Sequence, residues 1–260
     1  MELGLQGKTA LITGGSKGIG LACARAFLAE GARVALLSRS QANLEAAAAA
    51  LGGGERVVAV AADLVDADAA KDGIRRAERA LGPADVLVNS AGAARRYLPE
   101  ELTAAAWHAA MDAKYFTYIH AMDAVLPGMA SRGRGVVVNI IGMGGKVATP
   151  IHLPGGAANA ALMLATAGLA TVYAPRGIRI AGINPGSTLT DRVKEGLAVE
   201  ARLRGISPEE ALVQGQAKVP LRRYAAPEDI ARLAVFLASD QASYLTGAII
   251  PMDGGANPMI

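Results

Sequence analysis

The sequence predicts a single-domain α/β protein, with a doubly wound parallel sheet covered by helices on both faces. Three observations support this fold class. Short β-branched or apolar segments alternate with helical patterns along the chain. At 260 residues, with 52% hydrophobic and 19% charged residues, the chain is long and apolar enough to bury a large core. No Pro/Gly/Ser-rich linker or internal repeat divides it, so we expect residues 1–260 to form one domain.

Six segments have the pattern of strands buried in a parallel sheet, because each is a short run of apolar or β-branched residues. They are residues 9–13, 34–38, 57–61, 86–89, 136–141 and 178–183. Helical patterns lie between them, at residues 18–30, 44–51, 66–81 and 107–130. Right-handed crossovers between parallel strands place the ligand crevice at the carboxyl ends of the strands.

Charge and cysteine content narrow the classes of partner. The formal net charge of +3 is small, and the basic residues of the chain are scattered along the sequence. This distribution argues against a nucleic-acid partner but suits an anionic cofactor. The one cysteine, Cys23, and a start (MELGLQGK) without an apolar signal core predict a cytoplasmic protein. The nearly uncharged residues 157–174 could be a membrane span, but their Ala, Gly, Asn and Thr content favours a helix buried between subunits or under the sheet.

The chain becomes charged and helical over residues 191–223, beyond the sixth predicted strand. This segment is an excursion from the alternation of strands and helices. It stands where a substrate lid would cover the carboxyl ends of the strands, so we expect a lid there.

A glycine-rich turn follows the first predicted strand. In TALITGGSKGIG, the residues Gly14, Gly18 and Gly20 separate a buried strand from a helix. Glycine allows a sharp turn and a close approach to a pyrophosphate, while the helix N-terminus offers unpaired N–H groups and a partial positive charge. The spacing G-x-x-x-G-x-G therefore indicates a dinucleotide site, the alternative being a turn without a ligand.

The end of the second predicted strand indicates which dinucleotide binds. NAD-binding folds place an acidic residue there for the ribose 2′-hydroxyl, but this chain has Ser38 and Arg39. The Arg39 guanidinium can pair with a 2′-phosphate, and Lys17 in the glycine turn adds a second cation. These residues favour NADP(H), the alternative being a solvated arginine at a strand end.

With these segments in view, the whole chain resembles the classical short-chain dehydrogenase/reductase (SDR) family, which has a Rossmann-type fold. The glycine turn, Ala62–Asp63–Leu64, Asn89–Ser90–Ala91–Gly92, Asn184–Pro185–Gly186 and the C-terminal third occur in the family's order. The resemblance implies no metal site. The implied cofactor-binding residues are Gly14, Ser16, Lys17, Gly18, Ile19, Gly20, Ser38, Arg39, Asp63, Leu64, Asn89, Ala91, Gly92, Pro185, Gly186, Thr188 and Thr190.

The resemblance does not extend to the family's four catalytic side chains. The Y-x-x-x-K motif aligns with Gly155 at the tyrosine and Asn159 at the lysine. Gly142 stands at the serine after the fifth strand, and Lys114 stands at the asparagine of the long helix. No tyrosine is close enough in the sequence to replace it, because Tyr115 and Tyr118 are on the predicted long helix and Tyr173 comes several helical turns too late.

Lys114 and His152 are the candidate proton donors. Lys114 and Asn159 look exchanged between neighbouring positions of the family's site, and His152 lies three residues before Gly155. Lys146 is a further candidate. Lys114 could instead pair with Asp112 or lie in a wet cleft, and His152 could be a solvated loop residue. Glycines at positions 142, 144, 145, 155 and 156, with Met143, suggest an emptied pocket.

These residues support two main hypotheses about function. The first is a divergent NADP(H)-dependent oxidoreductase that acts on a carbonyl-like or preactivated acceptor. The second is a non-catalytic NADP(H)-binding protein, either a sensor or a structural partner of an active relative. A non-redox enzyme in the same pocket is a third possibility. In the resembling family, helices corresponding to residues 107–130 and 157–174 pair subunits, which implies a homodimer or homotetramer, or a mixed oligomer with an active relative.

Overall fold

The computed structural model describes residues 2–92 and 95–258. Across these residues, seven parallel strands form one sheet in the order β3-β2-β1-β4-β5-β6-β7. The strands are β1 (Thr9–Thr13), β2 (Arg33–Ser38), β3 (Val57–Ala61), β4 (Val86–Asn89), β5 (Gly135–Ile140), β6 (Ile178–Pro185) and β7 (Ile249–Met252). The order reverses between β1 and β4, which confirms the predicted doubly wound sheet. Strand β7 was not predicted.

Nine α-helices occur in the described residues. They are α1 (Gly18–Ala29), α2 (Gln41–Leu51), α3 (Ala67–Leu81), α4 (Ala104–Ala110), α5 (Thr117–Arg132), α6 (Leu153–Tyr173), α7 (Asp191–Arg204), α8 (Pro208–Ala217) and α9 (Pro227–Ala238). The structure corrects the starts of two predicted helices. Asp66 caps α3 rather than belonging to it, because its carboxylate accepts the Ala69 N–H at 2.7 Å. Helix α2 begins earlier than predicted, since the Ser40 hydroxyl accepts the Asn43 N–H.

The predicted long helix at residues 107–130 is three segments in the structure. It begins earlier, because the Thr103 hydroxyl caps α4 by accepting the Ala106 N–H. A π-helical segment, Met111–Phe116, separates α4 from α5. Such segments are rare and are frequent at functional sites. This one contains Lys114.

The core has two hydrophobic clusters, one on each face of the sheet. Alternate strand residues supply them, for example Leu36 and Ile183 on the face covered by α1 and α9. Leu87 and Leu162 are buried on the opposite face, with α3, α5 and α6. The alternation follows from the two-residue repeat of a strand, so both faces must be apolar.

Helix α6 contains the uncharged run of residues 157–174. Within the described residues, the stretch Pro150–Arg176 has the length and mean hydropathy (1.4) of a membrane span. Leu162 and Ala170 of this helix nevertheless lie in the second core cluster. The predicted packing of this run under the sheet is therefore confirmed for one face of α6, while its opposite face is exposed.

The charged segment at residues 191–223 folds into α7 and α8. These helices have a small hydrophobic cluster of their own, formed by Leu197, Ala201 and Ala211, with Tyr224 packed against it. The segment is thus a separate layer that begins directly after the carboxyl end of β6.

Candidate functional site

A cavity of about 780 Å³ lies at the carboxyl ends of the strands. Its walls come from the glycine turn, the ends of β2, β3 and β4, and the start of α7. The predicted cofactor residues in these walls are Gly14, Ser16, Lys17, Gly18, Ile19, Ser38, Arg39, Asp63, Leu64, Ala91, Gly92 and Thr190. The fold therefore gathers residues that are far apart in the sequence around one cleft, at the place where a doubly wound sheet binds ligands.

The glycine turn is packed too closely for side chains. Gly14 has φ +64°, and a Cβ atom there would lie 2.8 Å from the backbone of Ser90 and Ala91. A Cβ atom on Gly18 would lie 3.3 Å from the Thr190 methyl group, and one on Gly20 would overlap the Gly14 carbonyl. The turn consequently leaves the N-terminus of α1 open to the cavity, where its N–H groups can bind an anion.

The end of β2 carries a polar group without a partner. Within the described residues, the buried Ser38 Oγ atom has no hydrogen-bond partner. Arg39 next to it is exposed, and both residues line the cavity. A buried hydroxyl normally has a partner, and a phosphate oxygen would supply one while pairing with the guanidinium. The residues at β2 therefore fit a nucleotide with a ribose phosphate.

Asn89 does not face the cavity. Its side chain is fully buried, accepts a hydrogen bond from the Thr13 hydroxyl at 3.2 Å and donates one to the side-chain Oδ1 atom of Asn139 at 3.0 Å. The Thr13 hydroxyl in turn accepts the N–H groups of Ser90 and Ala91. Asn89 therefore acts beneath the cavity, where it fixes the loop after β4 that lines it.

At the end of β6, the predicted residues Pro185, Gly186 and Thr188 also support a loop of the cavity and do not line the cavity themselves. Thr188 is buried and donates its hydroxyl proton to the Gly186 carbonyl at 3.2 Å. A Cβ atom on Gly186 would lie 2.9 Å from Asp253. These residues shape the loop that carries Thr190 into the cavity wall.

Lys114 is buried, with 8% of its surface exposed. Its ammonium group donates to the Tyr118 hydroxyl at 2.7 Å and to the Ile140 carbonyl oxygen at 2.9 Å, and it lies 4.3 Å from the centre of the Tyr118 ring. The Tyr118 hydroxyl also donates to the Ile140 carbonyl. Lys114 is therefore held at the end of β5, not in the wet cleft that the sequence left open.

Lys114 lies directly behind one wall of the cavity. A Cβ atom on Gly92, which lines the cavity, would stand 2.8 Å from the Lys114 Cδ atom and 3.5 Å from its Nζ atom. Gly92 has φ +150°, a conformation that side chains disfavour. Because residue 92 has no side chain, the Lys114 side chain can occupy this space.

His152 and Asn159 meet at Gly144. A Cβ atom on Gly144 would lie 3.1 Å from the imidazole Cδ2 atom of His152 and 3.5 Å from the Asn159 Nδ2 atom. His152 is half-buried there, so it is not the solvated loop residue that the sequence left open, whereas Lys146 is exposed. The Asn159 Oδ1 atom is buried and has no hydrogen-bond partner in the described part of the chain.

The expected emptied pocket is closed at two of the glycines. A Cβ atom on Gly145 would lie 2.7 Å from the Ala160 nitrogen, and one on Gly156 would lie 2.7 Å from the Gly144 carbonyl oxygen. The loop after β5 thus packs backbone to backbone against α6. Gly155 is also buried, in the first turn of that helix. At Gly145 and Gly156 the prediction of extra room was wrong, because close packing takes up the space of the side chains.

Several residues of this region were not predicted. The cavity is also lined by Arg95, Tyr97, Ala109, Ala110 and Ala113. The three alanines carry no chemical signal, so sequence patterns could not have found them.

The role of Tyr118 beside Lys114 was also missed. A signal was present here, because residues four apart on a helix face the same side. The tyrosine was set aside for lying on the wrong helix.

Comparison with known proteins identifies the family. A family model described as "Enoyl-(Acyl carrier protein) reductase" matches residues 14–257. The chain is 36% identical to 2-(S)-hydroxypropyl-CoM dehydrogenase 3 of Xanthobacter autotrophicus over 252 residues, covering 96% of this chain and 97% of the relative. It is also 31% identical over 252 residues to the 3-oxoacyl-[acyl-carrier-protein] reductase FabG of Thermotoga maritima, covering 96% of this chain and 98% of the relative.

Solved structures similar to this chain identify the same family. The L-sorbose reductase of Gluconobacter frateurii, complexed with NADPH and L-sorbose, has a TM-score of 0.94 at 30% identity, with both chains covered completely. An NADPH-bound short-chain oxidoreductase of Pseudomonas aeruginosa PAO1, described as containing an atypical catalytic center, has a TM-score of 0.89 at 32% identity, covering 99% of this chain and 100% of that one. This chain therefore belongs to the short-chain dehydrogenase/reductase family.

Proposed function

We propose that the protein is an NADP(H)-dependent oxidoreductase with a non-standard active site, acting on a small carbonyl-like or preactivated acceptor. The observation that carries the proposal is that Arg39 and the buried Ser38 Oγ atom, which has no hydrogen-bond partner among the described residues, lie next to each other at the end of β2 in the cavity lining. A 2′-phosphate would satisfy both groups, whereas the ribose of NAD normally meets an acidic residue there. The NADPH-bound relatives support the same cofactor.

The non-standard part of the proposal concerns four positions. Gly142, Gly155, Asn159 and Lys114 stand where the family has its serine, tyrosine, lysine and asparagine. The relation between them supports this alignment: the Asn159 amide contacts the Gly142 position, and Lys114 projects to the end of β5 from the neighbouring helix. The P. aeruginosa relative, with its atypical catalytic center, provides a precedent within the family.

The cofactor would supply hydride, and the chain would orient it and manage a proton. Arg39 and Ser38 would hold the 2′-phosphate, and the N-terminus of α1 would hold the pyrophosphate. Lys114 or His152 would donate the proton that a reduced carbonyl oxygen takes up. A positioned general acid raises the reaction rate by a factor of about 10²–10⁴. A preactivated acceptor such as a quinone, an iminium or an enone would depend on this acid least, because it is already activated for hydride transfer.

A non-catalytic NADP(H)-binding protein is the second candidate. The observation that favours it is the backbone packing of Gly144 and Gly145 against α6, which leaves no space for side chains at Gly145 and Gly156. Such a protein would keep the cofactor cavity and would act as a sensor or as the partner of an active relative.

Two measurements separate these candidates. NADPH and NADH are titrated by fluorescence, and NADPH oxidation is then followed with ketones, quinones, imines and enones. Turnover that falls about 10²-fold or more in Lys114→Ala or His152→Ala would name the proton donor, with the exposed Lys146→Ala as the matched control. Tight NADPH binding without turnover of any acceptor would reject the oxidoreductase in favour of the second candidate.

We further propose a cytoplasmic homodimer or homotetramer. The outer face of α6 exposes Leu164 and Val172 by 77% and 61%, and the π-helical segment exposes Phe116. Exposed large apolar side chains of this kind are typical of a surface that another subunit covers. Light scattering after size-exclusion chromatography tests this: Leu164→Glu should lower the oligomeric mass, and a monomeric wild type would refute the proposal.

A further inference from the structure

Lys114 places a positive charge inside the protein at the carboxyl end of β5. Among the side chains that the structure describes, it is the only lysine, arginine, aspartate or glutamate that is buried. Burying a charge is costly unless polar groups compensate it. Here the Ile140 carbonyl and the Tyr118 hydroxyl accept hydrogen bonds from the Lys114 Nζ atom, and the centre of the Tyr118 ring lies 4.3 Å from it, so polar and aromatic groups are arranged to hold a cation at this point.

The charge lies at the end of the cavity opposite the proposed phosphate site. Arg39 and Ser38 lie at the end of β2, and the glycine turn follows β1, so the adenosine and pyrophosphate would occupy that half. From there the cavity continues past the end of β4, where Ser90, Ala91 and Gly92 line it. Lys114 bonds to Ile140, the last residue of β5, and Gly92 after β4 separates it from the cavity.

We propose that Lys114 makes this site selective for the reduced cofactor, NADPH, over NADP⁺. The two forms carry the same phosphates and differ by one positive charge on the nicotinamide ring. A fixed ammonium at the nicotinamide end repels that charge and leaves the neutral, reduced ring unaffected. Because two nearby unit charges in or at the surface of a protein interact by about 1–4 kcal/mol, we expect the ratio of dissociation constants to be on the order of tenfold or more.

Tyr118 is the positioning residue in this arrangement. Its hydroxyl accepts a hydrogen bond from the Lys114 Nζ atom and donates one to the Ile140 carbonyl, which connects the lysine to β5. Tyr118 is fully buried and does not reach the cavity itself. Without its hydroxyl, the ammonium would be less firmly fixed, and the preference for NADPH should fall only in part.

The experiment compares dissociation constants of NADPH and NADP⁺ by calorimetry, without any acceptor. The inference rests on the proposed function only in that NADP(H) must be the cofactor, and it does not require turnover. We expect the wild type to bind NADPH at least about tenfold more tightly than NADP⁺, Lys114→Met to lose that preference, Lys114→Arg to keep it and Tyr118→Phe to lie between. Thermal melts of each variant verify that it is folded.

Lys17→Met is the matched control, because it removes the same charge from the glycine turn. This variant should bind NADPH and NADP⁺ more weakly by the same factor, because both carry the same phosphates. The ratio of their dissociation constants should therefore stay unchanged. The inference is overturned, while the proposed function stands, if the wild type and Lys114→Met have the same ratio of dissociation constants. It is also overturned if Lys17→Met shifts that ratio as much as Lys114→Met does. Failure of both cofactors to bind the wild type would overturn both.

Discussion

The side-chain amide of Asn159 lies against Gly142, with its Nδ2 atom 3.1 Å from the position that a Cβ atom on residue 142 would take. Gly142 itself has φ +134° and ψ 145°, a conformation that is essentially restricted to glycine. The loop after β5 and helix α6 therefore constrain each other at the point where the SDR family places catalytic groups.

Gly142→Ala should destabilise the protein by about 1–3 kcal/mol, because the new side chain combines backbone strain with the Asn159 contact. Gly52→Ala is the control, since Gly52 has φ +62° but nothing within 4 Å of its Cβ position. Urea denaturation should show a smaller loss for Gly52→Ala. Equal losses would mean that the Asn159 contact and the unusual conformation add nothing.

The same constraint predicts that restoring the family's residues fails. The combined variant Gly142→Ser, Gly155→Tyr and Asn159→Lys should give no new ketone reduction, because a side chain at residue 142 would strain the backbone and Gly155 is buried in the first turn of α6. NADPH oxidation with simple ketones measures this. A gain above the wild-type rate would show that the loop rearranges freely.

Arg39→Ala should weaken NADPH binding by tenfold or more, since a hydrogen bond to a charged group contributes about 1.5–3 kcal/mol. NADH lacks the 2′-phosphate, so its dissociation constant should change little. Fluorescence titration of both cofactors tests the prediction, with the exposed Arg25→Ala as control. Equal weakening of NADPH and NADH would place Arg39 elsewhere on the cofactor.

Asn139→Ala should destabilise the fold, by about 1–3 kcal/mol for each buried group left without a partner. The Asn139 side chain accepts a hydrogen bond from Asn89 at 3.0 Å and donates one to the Thr166 hydroxyl at 2.9 Å, joining β4 and β5 to α6. Chemical denaturation measures the loss. The exposed Gln41→Ala should stay within about 0.5 kcal/mol of the wild type, and a similarly small loss for Asn139→Ala would contradict the role of this network.

Burial raises the pKa of the Cys23 thiol to about 12. The unfolded thiol ionises near pH 8.5, so its contribution to stability is complete below that pH and is lost as pH rises through the folded pKa. The wild type should therefore lose up to about 1.4 kcal/mol per pH unit above pH 8.5 relative to Cys23→Ala. Denaturation at several pH values measures the difference between the two, and parallel pH profiles would refute the shift.

The sequence alone predicted the doubly wound sheet and most of the residues that gather around the cavity. Buried parallel strands are continuous apolar runs, and both the glycine turn and Arg39 are local signals, so these predictions depend on neighbouring residues only. Strand β7 was missed because it has only four residues, of which none is fully buried, and so lacks a clear apolar pattern.

Only the tertiary structure decided what surrounds the remaining residues. Lys114 binds Ile140, 26 residues away, because the π-helical segment lies beside β5. Asn89 turns beneath the cavity because Thr13 and Asn139 on the adjacent strands satisfy its amide. Such contacts depend on which elements pack together and how closely. A local pattern records periodicity and burial, whereas the partner of a buried polar group is set by packing between distant segments.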